Sequence, residues 1–122
     1  MPSTRTTPDG GVEVYKHFTG IPRSVIDAVA TTKREGRARG ERTKNGDIVR
    51  DAMVALIDAA ERGEPITYLA QMTPNGGKSF HLWLEEGLVE RFEAFCRRVE
   101  RYESTVLITA VERFLAQRDA AL

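Results

Sequence analysis

Cysteine occurs once, as Cys96, so the chain can form no internal disulfide. Cys96 shares a helical face with Phe92, Phe95 and Val99, which makes it a small buried apolar side chain rather than a nucleophile. A reducing, cytoplasmic compartment is the natural expectation. No apolar run is long enough to cross a membrane, and no signal-peptide pattern opens the chain. There are only two histidines, His17 and His81, and no acidic or thiol residues accompany them at metal-ligand spacing. A glycine-rich phosphate loop is missing as well. Asn75-Gly76-Gly77-Lys78-Ser79 resembles the end of one, but it lacks the spacing and leads into a strand. With no serine or cysteine nucleophile motif either, nothing points to an enzyme, and no cofactor or metal is implied.

Formal net charge is zero, but the charge is unevenly spread. Between Lys33 and Lys44 six basic residues (Lys33, Arg34, Arg37, Arg39, Arg42, Lys44) face two acidic ones, Glu35 and Glu41. From Glu85 to Glu93 the balance reverses, with Glu85, Glu86, Glu90 and Glu93 against Arg91. A balanced total that hides a basic stretch is compatible with binding nucleic acid, because local potential matters more than the sum.

The chain also repeats itself. Ile21-Pro22-Arg23-Ser24-Val25-Ile26-Asp27-Ala28-Val29 is matched 63 residues later by Leu84-Glu85-Glu86-Gly87-Leu88-Val89-Glu90-Arg91-Phe92, with apolar residues at the same four places. Ile48, Val49, Ala52, Met53, Leu56 and Ile57 are matched 58 residues later by Val106, Leu107, Ala110, Val111, Phe114 and Leu115. The first copy therefore holds five more residues between its helices. Each copy is a short β-like run followed by two amphipathic helices, too small to bury its own apolar faces alone. One domain of two halves related by a pseudo-twofold axis is expected, α+β in class and mostly α.

Along the chain, residues 1–11 read as a flexible lead-in with two prolines and no apolar residue after Met1. The single domain runs over 12–122, its copies at 12–62 and 78–117, joined by a linker at 63–77 rich in Gly and Pro. Val12 to Thr19 is expected as the first strand, ending at Gly20. Pro22 suits the first turn of the helix that follows. That helix fades near Gly36 and Gly40, and Thr43 or Asn45 caps the next. Lys78 to Leu84 is the second strand, and Ser104 caps the last helix. Leu88, Phe92, Val106, Ala110 and Phe114 are expected in one core with Val25, Val29, Ile48, Ala52 and Leu56. The outward helix faces are polar, which points to a monomer.

Two motif sets carry a resemblance: Ile21-Pro22-Arg23-Ser24-Val25-Ile26 with Asn45-Gly46-Asp47-Ile48-Val49-Arg50-Asp51-Ala52-Met53, and Phe80-His81-Leu82-Trp83-Leu84-Glu85 with Ser104-Thr105-Val106-Leu107. They resemble the ribbon-helix-helix family of DNA-binding proteins, here as a single-chain tandem form. The resemblance implies a bacterial protein whose two strands form an antiparallel ribbon that enters the major groove of double-stranded DNA. It also implies that the N-terminus of each second helix holds a phosphate. The positions concerned are Asn45 and Gly46 in the first copy and Ser104 and Thr105 in the second, with Arg37, Arg39, Arg42 and Lys44 beside the former.

For base contact, alternation in the second strand turns Phe80, Leu82 and Leu84 inward and Ser79, His81 and Trp83 outward, with Lys78 at the edge. The first strand has two frames. Gapless alignment of the copies turns Lys16, Phe18 and Gly20 outward. Its own pattern of Val12, Val14 and Phe18 argues instead for Tyr15, His17 and Thr19, and a bulge near Thr19-Gly20 would reconcile the two. The alignment favours Lys16 and Phe18 as the outward pair. The different strands imply an asymmetric site. Functions that fit are an accessory role in plasmid or T-DNA processing and transfer, transcriptional repression, or a protein-interaction module of antitoxin or relaxase-docking type. The basic stretch argues against a pure protein binder, which has no need of it.

Overall fold

A computed structural model describes residues 3–69 and 77–121. The elements are β1 (Thr4–Thr6), β2 (Val12–Ile21), α1 (Arg23–Ala38), α2 (Asn45–Glu61), β3 (Lys78–Glu85), α3 (Glu86–Val99) and α4 (Glu103–Ala120). They form an α+β, mostly helical fold with one antiparallel sheet in the order β1-β2-β3. No described helix is long and apolar enough to cross a membrane.

The third strand corrects the expectation of a two-stranded ribbon behind a flexible lead-in. Thr4–Thr6 alternates β-branched residues around Arg5, and Pro8-Asp9-Gly10 then reverses the chain. Gly10 takes φ +90°, the Thr7 N–H donates to the Gly11 carbonyl at 2.8 Å, and the Asp9 carboxylate accepts from the Thr7 hydroxyl and the Gly11 N–H. β1 pairs with β2 only at Val12–Val14. Beyond that point no described strand lies along that edge of β2.

β2 and β3 pair with Val14 opposite Leu84, Tyr15 opposite Trp83, His17 opposite His81 and Phe18 opposite Phe80. The register shifts between Phe18 and Ile21, where a bulge lies. Gly20 has φ +70° there, and a Cβ on Gly77 would lie 2.7 Å from the Gly20 carbonyl carbon, so two glycine backbones meet at this corner.

Equivalent positions of the two copies cap their helices alike. Pro22 (φ −58°, ψ 140°) precedes α1 and Glu85 (φ −58°, ψ 137°) precedes α3, 63 positions apart. Pro22 therefore sits just before the helix rather than in its first turn, its carbonyl accepting the Val25 N–H at 3.0 Å. α1 also runs on through Gly36 to Ala38, so Lys33, Arg34 and Arg37 are helical. The five extra residues divide into two in α1 (16 against 14) and three in the loop, 39–44 against 100–102. Both helices end through a left-handed residue, Gly40 at φ +85° and Glu100 at φ +56°.

The core lies between the inner face of the sheet and the helices. Phe18, Phe80, Leu82 and Leu84 meet Val25 and Val29 of α1, Ile48, Ala52 and Leu56 of α2 and Leu88 and Phe92 of α3. Phe18 stands edge-on to Phe92 at 5.9 Å. α4 is buried on every side from Thr105 to Val111, since it packs on α2, β2, α1 and α3. Its Thr109 hydroxyl donates to the Thr105 carbonyl and accepts the Leu69 N–H, each at 2.9 Å, which satisfies the polar atoms that burial strands there. Connector residues 70–76, with the turn residues Pro74, Asn75 and Gly76, lie outside the described part.

The expected core holds except at Phe114, which is half-buried on the rim, beyond the enclosed turns of α4. Phe92, 1% exposed, is the aromatic at the centre. Phe92→Ala is expected to cost about 3–5 kcal/mol in denaturant unfolding, and Phe114→Ala less. Equal losses at the two positions would show that the rim and centre have been misjudged.

Candidate nucleic-acid interface

Strand alternation sorts the sheet into an inner and an outer face. The outer face carries Arg5 on β1, Glu13, Tyr15 and His17 on β2, and His81 and Trp83 on β3. His17 and His81 stack with ring centroids 4.1 Å apart and planes 6° from parallel. Tyr15 meets both edge-on, at 5.2 and 5.6 Å, and lies 4.9 Å from Trp83. The Arg5 guanidinium covers the Trp83 ring at 4.2 Å and is held by Glu13 at 2.7 Å. Ser79 and Lys78 are exposed at the start of β3. The outward placement of Ser79, His81 and Trp83 is therefore as the alternation of β3 required.

Lys16 and Phe18 are not on this face, and the outward assignment of both is corrected. Phe18 is 2% exposed, in the core. Lys16 turns to the helices, where Nζ lies 2.9 Å from Glu93 and 2.6 Å from Glu103. The bulge falls after Phe18, so the alternation of Val12, Val14 and Phe18 decides the frame of everything before it. Burial lowers the pKa of Lys16, but the hydrogen bonds and fields of Glu103 and Glu93 outweigh it and leave the pKa raised. Cys96 lies close by. Burial first, then the Glu103 and Glu93 carboxylates, push its thiol up to about 12, so it stays protonated at neutral pH.

Of the two expected phosphate clamps, the first adjoins the outer face. Lys44 is the N-cap of α2, Asn45 its first residue, and Gly46 is pressed so close to β3 that a Cβ would lie 2.6 Å from the Trp83 carbonyl oxygen. Only glycine allows that approach. A groove of about 210 Å³ runs between them, lined by Arg5, His81 and Trp83 of the sheet and Lys44, Asn45 and Gly46 of the helix end, with the carboxylates of Glu13 and Asp47 also in its wall. The Asp47 carboxylate accepts the Lys44 N–H at 3.0 Å and so takes up one of the free donors of this helix end. Arg37 reaches the Thr43 carbonyl at 3.5 Å, and Arg39 pairs with Glu41 at 3.3 Å. Arg42 and Lys44 are exposed.

The second clamp is differently built. α4 begins at Glu103 after the N-cap Tyr102, two residues earlier than a Ser104 cap requires. Ser104 is half-buried, and Thr105 is buried with its carbonyl held by Thr109. The carboxylates of Glu93 and Glu103 stand beside this helix end and hold Lys16, so negative charge already occupies the place a phosphate would take. The two ends are chemically unlike.

Arg5, Glu13, Tyr15 and His17 are the outer-face residues that the assigned site lacked. A signal existed for each: the Pro-Asp-Gly turn after Thr4–Thr6 for Arg5 and Glu13, and the apolar period of β2 for Tyr15 and His17. Comparison of the chain with protein-family models, with curated proteins and with solved structures gave no match in any of the three.

Lys16→Met is expected to lower stability by about 1 kcal/mol at neutral pH, because its carboxylate partners are partly solvated. The raised pKa fixes the sign. The contribution is complete below the ordinary lysine value of 10.5 and is lost as pH climbs through the raised one. Unfolding curves of the two proteins should therefore converge in strong alkali and stay apart from pH 6 to 9.

Proposed function

We propose that the chain binds double-stranded DNA by laying the outer face of the β2–β3 ribbon in the major groove, with cations of the α1–α2 connection on the flanking backbone. The observation that carries this is the groove in which Arg5, His81 and Trp83 adjoin the N-terminal turn of α2. It joins side chains able to meet base edges to a helix end able to meet a phosphate. β1 is short enough to leave the ribbon two-stranded past Val14, which suits a groove about 12 Å wide. Matching offsets and matching caps before α1 and α3 support a tandem duplication with a pseudo-twofold axis. In this reading Tyr15 and His17 replace Lys16 and Phe18 among the base-facing residues, and Lys78, Ser79, His81 and Trp83 remain.

The biological setting is an accessory role in plasmid or T-DNA processing and transfer in a bacterial cytoplasm. It rests on resemblance in architecture and length to the C-terminal domain of the Agrobacterium virC-operon protein that assists T-DNA transfer. A second reading, docking on a relaxase or another protein, is favoured by the carboxylates of Glu86, Glu90 and Glu93 beside the uncovered part of the β2 edge.

Phosphate contacts supply most of the affinity and make it salt-dependent, at about 0.9 in log–log slope per contact. Replacing Arg37, Arg39 and Arg42 with alanine is expected to weaken binding to all DNA alike and to flatten that slope in gel shifts at several salt concentrations. Tyr15→Ala or Trp83→Ala should instead narrow the gap between preferred and random sequence. Normal binding by the triple variant at every salt concentration would replace DNA with the protein-docking reading.

Because α2 and α4 of one chain already cover each other, sedimentation should give a monomer at micromolar concentration. A tight dimer would remove the single-chain form of the proposal.

A further inference from the structure

We infer that His17 and His81 form a chelating site for a divalent transition-metal ion of the copper, nickel and zinc class. This stands on geometry alone and is independent of the DNA reading. The two residues are directly opposite on paired antiparallel strands, and both side chains are exposed on the outer face. Their rings lie 4.1 Å apart by centroid and within 6° of parallel.

An ion bound to one nitrogen of each ring, at about 2.0–2.1 Å, needs those nitrogens roughly 3 Å apart. The in-plane lone pairs of stacked rings do not converge, so both exposed side chains turn out of the stack to bring one nitrogen each onto the ion. Tyr15 stands edge-on to both imidazoles, at 5.2 and 5.6 Å, and limits their swing from the Trp83 side. The next outward residues on the far side, Thr19 and Ser79, are exposed and leave room for solvent ligands.

The donor set decides which ion. Two neutral imidazoles suit copper, nickel and zinc, and exclude calcium and magnesium, which take oxygen ligands. Copper(II) should bind tightest by the usual order of stabilities. Among the described residues no group of three or more His, Cys, Asp or Glu could hold an ion, so water completes the coordination. The site is thus an exchangeable one. Its ion bridges β2 to β3, and so binds the folded chain in preference to the unfolded one.

The test uses the chain without an affinity tag, titrated separately with copper(II), nickel(II) and zinc(II) chloride by calorimetry. One ion per chain is expected, copper tightest, with two imidazole nitrogens in the copper electron paramagnetic resonance spectrum. His17→Gln and His81→Gln should each weaken copper binding at least tenfold and leave one nitrogen. Zinc should also shift the ring resonances of His17 and His81 together in the unaltered protein, a measurement that needs no variant. Copper affinity unchanged by either substitution, loss confined to one of them, or no binding below millimolar copper would overturn the site.

Discussion

The pairing of β2 with β3 is the contact on which the rest of the molecule depends. It is the seam between two halves, each a strand and two helices that cannot close a core unaided. Once Val14 faces Leu84 and Phe18 faces Phe80, the pleat sends every second side chain to the helices and the others to solvent. A slip of one residue would put Tyr15 and His17 into the core and Phe18 into water. The inner aromatics Phe18, Phe80 and Phe92 resist that slip, so the packing that stabilises the fold also fixes which side chains the outer face presents.

The helices add a constraint of their own. α4 has apolar or small residues all round from Thr105 to Val111 because it is the element the others surround. α3, by contrast, is strongly one-sided, with Leu88, Val89, Phe92, Phe95 and Cys96 inward and glutamates outward. Equivalent elements in the two copies thus differ in what covers them, and their helix ends differ too. At α2 the neighbours are Arg5, His81 and Lys44 with Glu13 and Asp47; at α4 they are Glu93 and Glu103, paired with Lys16. The strand-helix-helix order is the same in the two halves, while the charges around the two helix ends differ.

Much of this was legible in the chain. The order of strands and helices after residue 12, the five-residue difference between copies, the inward set of β3 and most of the core follow from apolar period and turn residues alone. Lys16 and Phe18 were misplaced because the comparison of copies ignored a bulge, whereas the local alternation of β2 already held the right frame. Bulges are hard to see beforehand, since one extra residue leaves no mark but a glycine that could equally end a strand. β1 was overlooked because three residues without an apolar side chain carry almost no periodic signal. Its signal was the turn that follows. Ser104 was assigned as a cap on side-chain chemistry, but α4 starts two residues sooner because burial of Thr105–Val111 fixes the helix more firmly than a cap worth about 1 kcal/mol.

The edge of β2 past Tyr15, whose N–H donates to the Ser3 carbonyl at 2.9 Å, meets no further strand among the described residues, and this has a consequence in a crowded solution. A bare strand edge is a template for another copy of the same strand, and sheet proteins that leave one open are prone to fibre growth. Here Glu86, Glu90 and Glu93 line the approach to that edge. Glu93 is paired with Lys16, but a second molecule arriving edge to edge would bring its own Glu86 and Glu90 against the same two residues here, and like charges repel before a backbone hydrogen bond can form. Like charge at Glu86 and Glu90 thus opposes growth of the sheet from this edge.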